Sequence, residues 1–207
     1  MALLLFFSAS AAAVERIVTL SPHLAELVCA AGGCDRLVGV VAYSDYPARV
    51  RQLPQVGDAF AVNAEQLVAL RPDRVLAWEG GTPREVSERL RALNLPVTPV
   101  AVRGLNDIAA ALRRLGEILG TQPQAERAAG EFERRLRALR QANAGARPLR
   151  VLYHIELEPM FSINRASPIH QAIELCGGVN VFADLPQLSA VVGNEAVLAA
   201  RPEAIVF

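Results

Sequence analysis

The sequence has no surplus of charge. Its 207 residues carry 21 basic and 21 acidic side chains, for a formal net charge of zero. A general binder of nucleic acid or of an anionic membrane needs a basic excess, so this balance argues against both. Lysine is absent and arginine supplies the basic side chains, which reads as a coding bias. Metal-ligand spacing is also missing: His23, His154 and His170 stand apart, and no CxxC or His/Cys pattern points to a metal site. No GxGxxG follows a strand, there is no phosphate-cradling P-loop, and no motif sets a nucleophile on a sharp strand-to-helix turn. The residues therefore point to binding without chemistry. No catalytic residues, resident cofactor or metal are expected.

Cysteine is scarce and odd in number: Cys29, Cys34 and Cys176. The first two lie close in "VCAAGGC", where they either pair or remain small buried thiols. A membrane-length apolar run is lacking too, since Leu3 to Phe7 is too short to span a bilayer. Small residues, Ser8 to Ala13, follow it. The pattern resembles the apolar core and A-x-A cleavage site of a secretory signal, without the basic start. Residues 1–13 thus read as an export segment cleaved near Ala13, and no cysteine at that junction offers a lipid anchor.

What is present is a hydrophobic content of 52%, enough for a large core, arranged in α/β alternation. Arg16–Leu20 reads as a strand. "SPHLAELVCAAGG" reads as a helix, with Ser21 a candidate N-cap, Pro22 in the first turn and a double glycine as the stop. Strands are expected at Leu37–Ala42, Arg74–Trp78 and in "LPVTPVA", with helices at Asn63–Leu70, Pro83–Leu93 and Leu105–Leu119. Thr121 to Pro148 is charged and rich in helix formers, so it reads as one long helix, with Ala128, Phe132, Leu136 and Leu139 inward. The strand pattern restarts at Arg150–Ile155. A loop follows, then the helix "SPIHQAIELCGG".

"VNAEQLVALRPDRVLAW" is echoed by "GNEAVLAARPEAIVF". Each carries a short helix, Arg-Pro-acid and an apolar strand, one copy per half of the chain. The expected fold is α/β: two Rossmann-like lobes, 14–120 and 149–207, joined by a long helix over 121–148. The second lobe reads as two strands and two helices and stops within a strand at Phe207, so it is expected to be incomplete.

"RIVTLSPHLAELVCAAG", "VGVVAYSDYP", "LVALRPDRVLAWEGG", "LCGGVNVFAD" and "EAVLAARPEAIVF" occur in this order and at these distances. Together they resemble the periplasmic vitamin B12-binding proteins that feed ABC importers, from about residue 15 onward. RPD before a strand is shared with haem- and siderophore-binding relatives; SDYP, AW-x-GG and CGG-x-N-x-F narrow the match toward cobalamin. The resemblance implies a monomeric periplasmic protein that captures cobalamin as cargo in a cleft between lobes, at the C-terminal ends of the strands. The alternative within the same fold is a haem or ferric-siderophore carrier, with His23 or Tyr43 as an iron ligand.

By the same resemblance Tyr43, Trp78 and Phe161 line the ligand site, His23 and Phe60 stand beside it, and Gly80 with Gly81 lets backbone approach the cargo. Two departures stand out. The family's usual tryptophan after "PQVG" is Ala59 here, with Phe60 beside it, and a second is replaced near Ser189. Asp45 and Pro47 read as loop-shaping residues. Glu65 and Glu195 occupy equivalent places in the repeats, and the resemblance makes them the contacts to arginines of a membrane permease. Their ordinary reading is an acidic residue favoured by the helix dipole.

Overall fold

The computed structural model describes residues 14–58 and 61–207. The export-like segment 1–13 and Phe60 lie outside the described residues. The chain forms two compact units. One comprises residues up to Val100 together with Leu112–Glu126; the other comprises Ala101–Ala111 and Arg127–Phe207.

The first unit is built on strands β1 (Ile17–Thr19), β2 (Leu37–Gly39), β3 (Arg74–Glu79) and β4 (Val97–Ala101), ordered β2-β1-β3-β4. β1 runs parallel to both β2 and β3, with Ile17 opposite Arg74 and Thr19 opposite Leu76. Parallel pairing needs crossover helices, and the sequence supplies them: α1 (Pro22–Ala30), α2 (Ala64–Ala69) and α3 (Arg84–Ala92). The core gathers Val18, Leu20, Val41, Val56, Leu67, Val75, Ala77 and Leu90. These come from β1 and β3, from segments outside the strands (Leu20, Val41, Val56) and from the inner faces of α2 and α3. β2 is shorter than the apolar run predicts. Beyond Gly39 the chain keeps one bridge, Val40 to Gln55, and then turns into the loop that carries Tyr43.

Two long helices follow, α4 (Leu105–Leu119) and α5 (Gln122–Ala142), and the chain passes from unit to unit within each of them. α4 has the predicted bounds and buries Leu112, Leu115 and Leu119. α5 stops at Ala142, short of the expected Pro148, in a turn through Asn143–Gly145 where Gly145 takes a positive φ. Its buried residues are Ala125, Ala129 and Leu136. Leu139, expected inward, is exposed, because the buried stripe of α5 ends at Leu136.

The second unit departs most from expectation. It holds five strands rather than two: β5 (Leu149–Tyr153), β6 (Phe161–Ile163), β7 (Gly178–Asn180), β8 (Ser189–Val191) and β9 (Ala204–Val206), with α6 (Pro168–Leu175) and α7 (Asn194–Ala200). β7, β5 and β9 form a parallel sheet in that order, and β6 pairs antiparallel with β8. Three-residue strands carry too little alternation to stand out from loops. β6 and β8 find each other across 25 residues or more of chain, which no local pattern announces.

Candidate functional site

In the first unit, three strands deliver their C-terminal ends side by side. β1 ends in Ser21 and the first turn of α1, where His23 sits; β2 leads to Tyr43–Pro47; β3 ends in Trp78 and the turn at Gly80–Gly81. Adjacent strands stand about 4.8 Å apart, so the loops after β2 and β3 flank the α1 terminus at roughly 10 Å from each other. The His23 and Trp78 rings form a T-shaped pair, 4.9 Å between centroids and 85° between planes.

Trp78 is fixed from below and from behind. Its N–H donates to Thr82 Oγ1 at 2.9 Å, and its carbonyl accepts from the N–H groups of Gly81 and Thr82. A Cβ on Gly81 would lie 1.7 Å from Trp78 Cε3, so the indole rests on bare backbone. Gly80, the residue the sequence singles out, plays the other part: its φ is +92°, and a Cβ there would meet nothing within 4 Å. The pair divides into a turn-maker and a platform.

Tyr43 is 86% exposed and holds a left-handed backbone, φ 64°. Tyr46 is 66% exposed and precedes Pro47 through a cis bond. β alternation therefore does not govern which way these rings point. The loop is tied through the carbonyl of Asp45, which accepts from Arg51 Nε at 2.8 Å. Glu26, on the outer side of α1, has its carboxyl pushed up by burial first and by the nearby Asp45 charge second.

Among the described residues, seven buried side-chain polar atoms lack a hydrogen-bond partner, and four of them collect here: Thr19 Oγ1, Ser21 Oγ, His23 Nε2 and Ser44 Oγ. Orphaned buried polar atoms are rare in native proteins and concentrate where function requires them. Ser21 holds the extended N-cap backbone, yet its hydroxyl makes no cap bond, contrary to the expected role. Ser167, in the Ser-Pro opening of α6, does cap its helix, accepting from the Ile169 N–H at 3.2 Å. Burial lowers the pKa of His23, which favours the neutral ring. Ser44 and Thr82 are the participants that sequence reasoning missed; no motif separates them from ordinary turn residues, and Gly81, expected to admit the cargo, instead supports Trp78.

Phe60 lies outside the described residues, but the positions on either side of 59–60 are tied to each other. Asp58 Oδ1 accepts from the Ala61 N–H at 2.7 Å, and the Asp58 N–H donates to the Ala61 carbonyl. In the second unit Phe161 is half-buried and opens β6 opposite Val191, where the sequence predicts a loop. Ser189, likewise expected in a loop, opens β8 opposite Ile163. Glu65 and Glu195 are exposed in the first turns of α2 and α7. Cys29 and Cys34 form a disulfide, and Cys176 is free and exposed. No group of three or more His, Cys, Asp or Glu able to hold a metal ion occurs among the described residues.

Known proteins resemble this chain over nearly all its length. Residues 17–207 match the family described as periplasmic binding protein. A vitamin B12-binding protein of Pectobacterium carotovorum is 37% identical over 99% of this chain and 75% of its own. One of Yersinia pestis is 36% identical over 95% and 70%. Among solved structures, the periplasmic vitamin B12 binding protein of Vibrio cholerae superposes with a TM-score of 0.86 at 33% identity, covering 93% of this chain and 75% of that one. A periplasmic haem binding protein from Pseudomonas aeruginosa also reaches 0.86, at 28% identity, covering 93% and 71%. The backbone is thus common to both ligand classes.

Proposed function

This chain belongs to the periplasmic binding protein family, and from that premise we propose that it captures cobalamin in the periplasm and delivers it to an ABC importer. The observation that carries the reading is the aromatic rim of the first unit. Trp78 lies against Gly81 and meets His23 in a T-shaped contact, with Tyr43 and Tyr46 exposed on the loop beyond. A wide, flat, largely apolar macrocycle edged with amides needs such surfaces, because aromatic rings supply contact area with little rotamer entropy to lose. Its amide edge needs hydrogen-bonding groups nearby, and the exposed Tyr43 and Tyr46 carry phenol hydroxyls on the loop after β2. Gly80 leaves open space for backbone approach. Phe161 and Phe60 are the further contacts we assign. The family binds solutes for delivery, and we infer no catalytic step here.

The haem reading takes His23 or the exposed Tyr43 as iron ligand, and burial weighs against His23. His23 Nε2 is closed off from solvent, so ligation through it would require the ring to turn out of its contact with Trp78. Titration calorimetry with cyanocobalamin, haemin and a ferric siderophore separates the cargoes. Saturable cyanocobalamin binding without haemin binding is expected, and the reverse would overturn the proposal.

For delivery, we infer a monomer that exposes Glu65 and Glu195 to arginines of the permease, with the export segment removed near Ala13. Ligand-dependent uptake into membrane vesicles should fall several-fold in Glu65→Gln or Glu195→Gln while cyanocobalamin affinity stays constant. Uptake at the wild-type level in both variants would remove these residues from the docking surface.

A further inference from the structure

The two helices that carry Glu65 and Glu195 are held by the same device, built once in each unit. Arg16, just before β1, reaches the end of α2. Its Nε donates to the carbonyls of Leu70 (3.1 Å) and Arg71 (3.2 Å), and its Nη2 donates again to Leu70 at 2.7 Å. Arg150, in β5, does the same to α7, its Nε donating to Ala200 (3.0 Å) and Arg201 (3.3 Å) and its Nη2 again to Ala200. The hold is reciprocal. Asp73, in the Arg-Pro-acid segment after α2, accepts from the backbone N–H groups of Glu15 and Arg16, both at 2.9 Å. Glu203, its counterpart after α7, accepts from the Arg150 N–H at 2.9 Å and pairs with Arg147. Both helices also leave through an arginine with positive φ, Arg71 at 46° and Arg201 at 42°.

We propose that Arg16 and Arg150 are positioning residues for docking: they pre-set the helices that present Glu65 and Glu195 to an arginine-bearing permease surface. This rests on the docking role proposed above. α2 has six residues and α7 seven, far below the length at which a helix is stable by itself. α7 buries none of its residues, so packing alone does not hold it. A planar guanidinium matches two adjacent terminal carbonyls as a fork, and its charge complements the C-terminal end of the helix dipole while the glutamate complements the other. A helix ordered in advance spares the complex the entropy of ordering it on contact. The Arg-Pro-acid repeat, visible in the sequence, is thus one half of a lock whose other half is the arginine of the central strand.

The test compares Arg16→Met and Arg150→Met with Glu65→Gln and Glu195→Gln. Three readouts serve: amide hydrogen exchange of α2 and α7, cyanocobalamin titration, and uptake of labelled cyanocobalamin into membrane vesicles of the source organism. Arg16→Met is expected to speed exchange in α2 roughly tenfold while leaving α7 unchanged, and Arg150→Met the converse. Both should lower uptake several-fold with cyanocobalamin affinity unaltered. The glutamate variants should lower uptake with exchange unaltered. Should a methionine variant fail to fold, Arg16→Lys and Arg150→Lys, which keep the charge and lose the fork, are expected to give intermediate exchange and uptake. Unchanged exchange in the arginine variants, or faster exchange with undiminished uptake, overturns the positioning role while docking stands. Undiminished uptake in both glutamate variants overturns the docking role and the positioning role with it, whatever the exchange shows.

Discussion

Replacing Gly81 with alanine isolates what holds Trp78 in place. The new Cβ would sit 1.7, 2.2 and 2.3 Å from three indole carbons. Ordinary contact begins at 3.4 Å, so the ring must retreat by about 1.7 Å. That displacement breaks the edge contact with His23, an interaction of about 0.5–1.5 kcal/mol. It also moves the indole away from the rim, and losing one aromatic wall of about 1–2 kcal/mol corresponds to a roughly 5- to 30-fold weaker cyanocobalamin affinity. Trp78 is the only tryptophan in the chain, so intrinsic fluorescence reports its surroundings directly, and the expected emission shift appears without ligand. Gly80→Ala is the control. Its Cβ meets nothing, but its φ of +92° makes the backbone costly for alanine by about 1–2 kcal/mol. It should lower thermal stability and leave emission unchanged. Wild-type emission and affinity in Gly81→Ala would refute the platform role of Gly81.

Three further outcomes follow from the same geometry. Tyr43→Gly relieves a left-handed backbone, so it should raise stability by up to about 1 kcal/mol in denaturant melts yet weaken cyanocobalamin binding; unchanged affinity would remove Tyr43 from the site. His23 has its pKa lowered by burial from 6.5. The unfolded chain therefore binds the proton more readily, and stability is lost as pH falls below about 6.5 toward the folded value. His23→Phe should remove that component from a pH series of melts, and an identical acid dependence in both proteins would contradict it. The Cys29–Cys34 disulfide spans a sequence separation of 5, and so short a loop limits its contribution to about 2 kcal/mol. The Cys29→Ser/Cys34→Ser double variant should melt roughly 4–8 °C lower, and reductant should reproduce the shift in the native protein.

Much of this was legible because it is local. Ser-Pro openings, glycine stops and the 3.6-residue period of Leu112, Leu115 and Leu119 set α1, α4 and α6 close to their observed bounds. The internal repeat announces two halves with equivalent glutamates, and Asn63, which opens the helix expected at Asn63–Leu70, caps α2 by accepting from the Gln66 N–H at 3.1 Å. β6 and β8 look like loops in the sequence, since three residues of strand carry no period and their pairing partner is remote. The spacing of Cys29 and Cys34 allows thiols or a disulfide, because proximity in sequence does not fix side-chain direction.

The sequence by itself determined the α/β class, the helices, the duplication and the residues at the strand ends, because backbone propensity and periodicity act within a dozen neighbours. Only the tertiary structure decided which of those residues act together. Gly81 rather than Gly80 supports Trp78, because that depends on where an indole ring folds back. Four polar atoms lose their partners at one sheet end, because three strands far apart in the chain terminate there. Arg16 and Arg150 close onto the ends of α2 and α7, because parallel pairing brings β1 beside β3 and β5 beside β9. Such contacts join residues about fifty positions apart, and no short-range pattern specifies them.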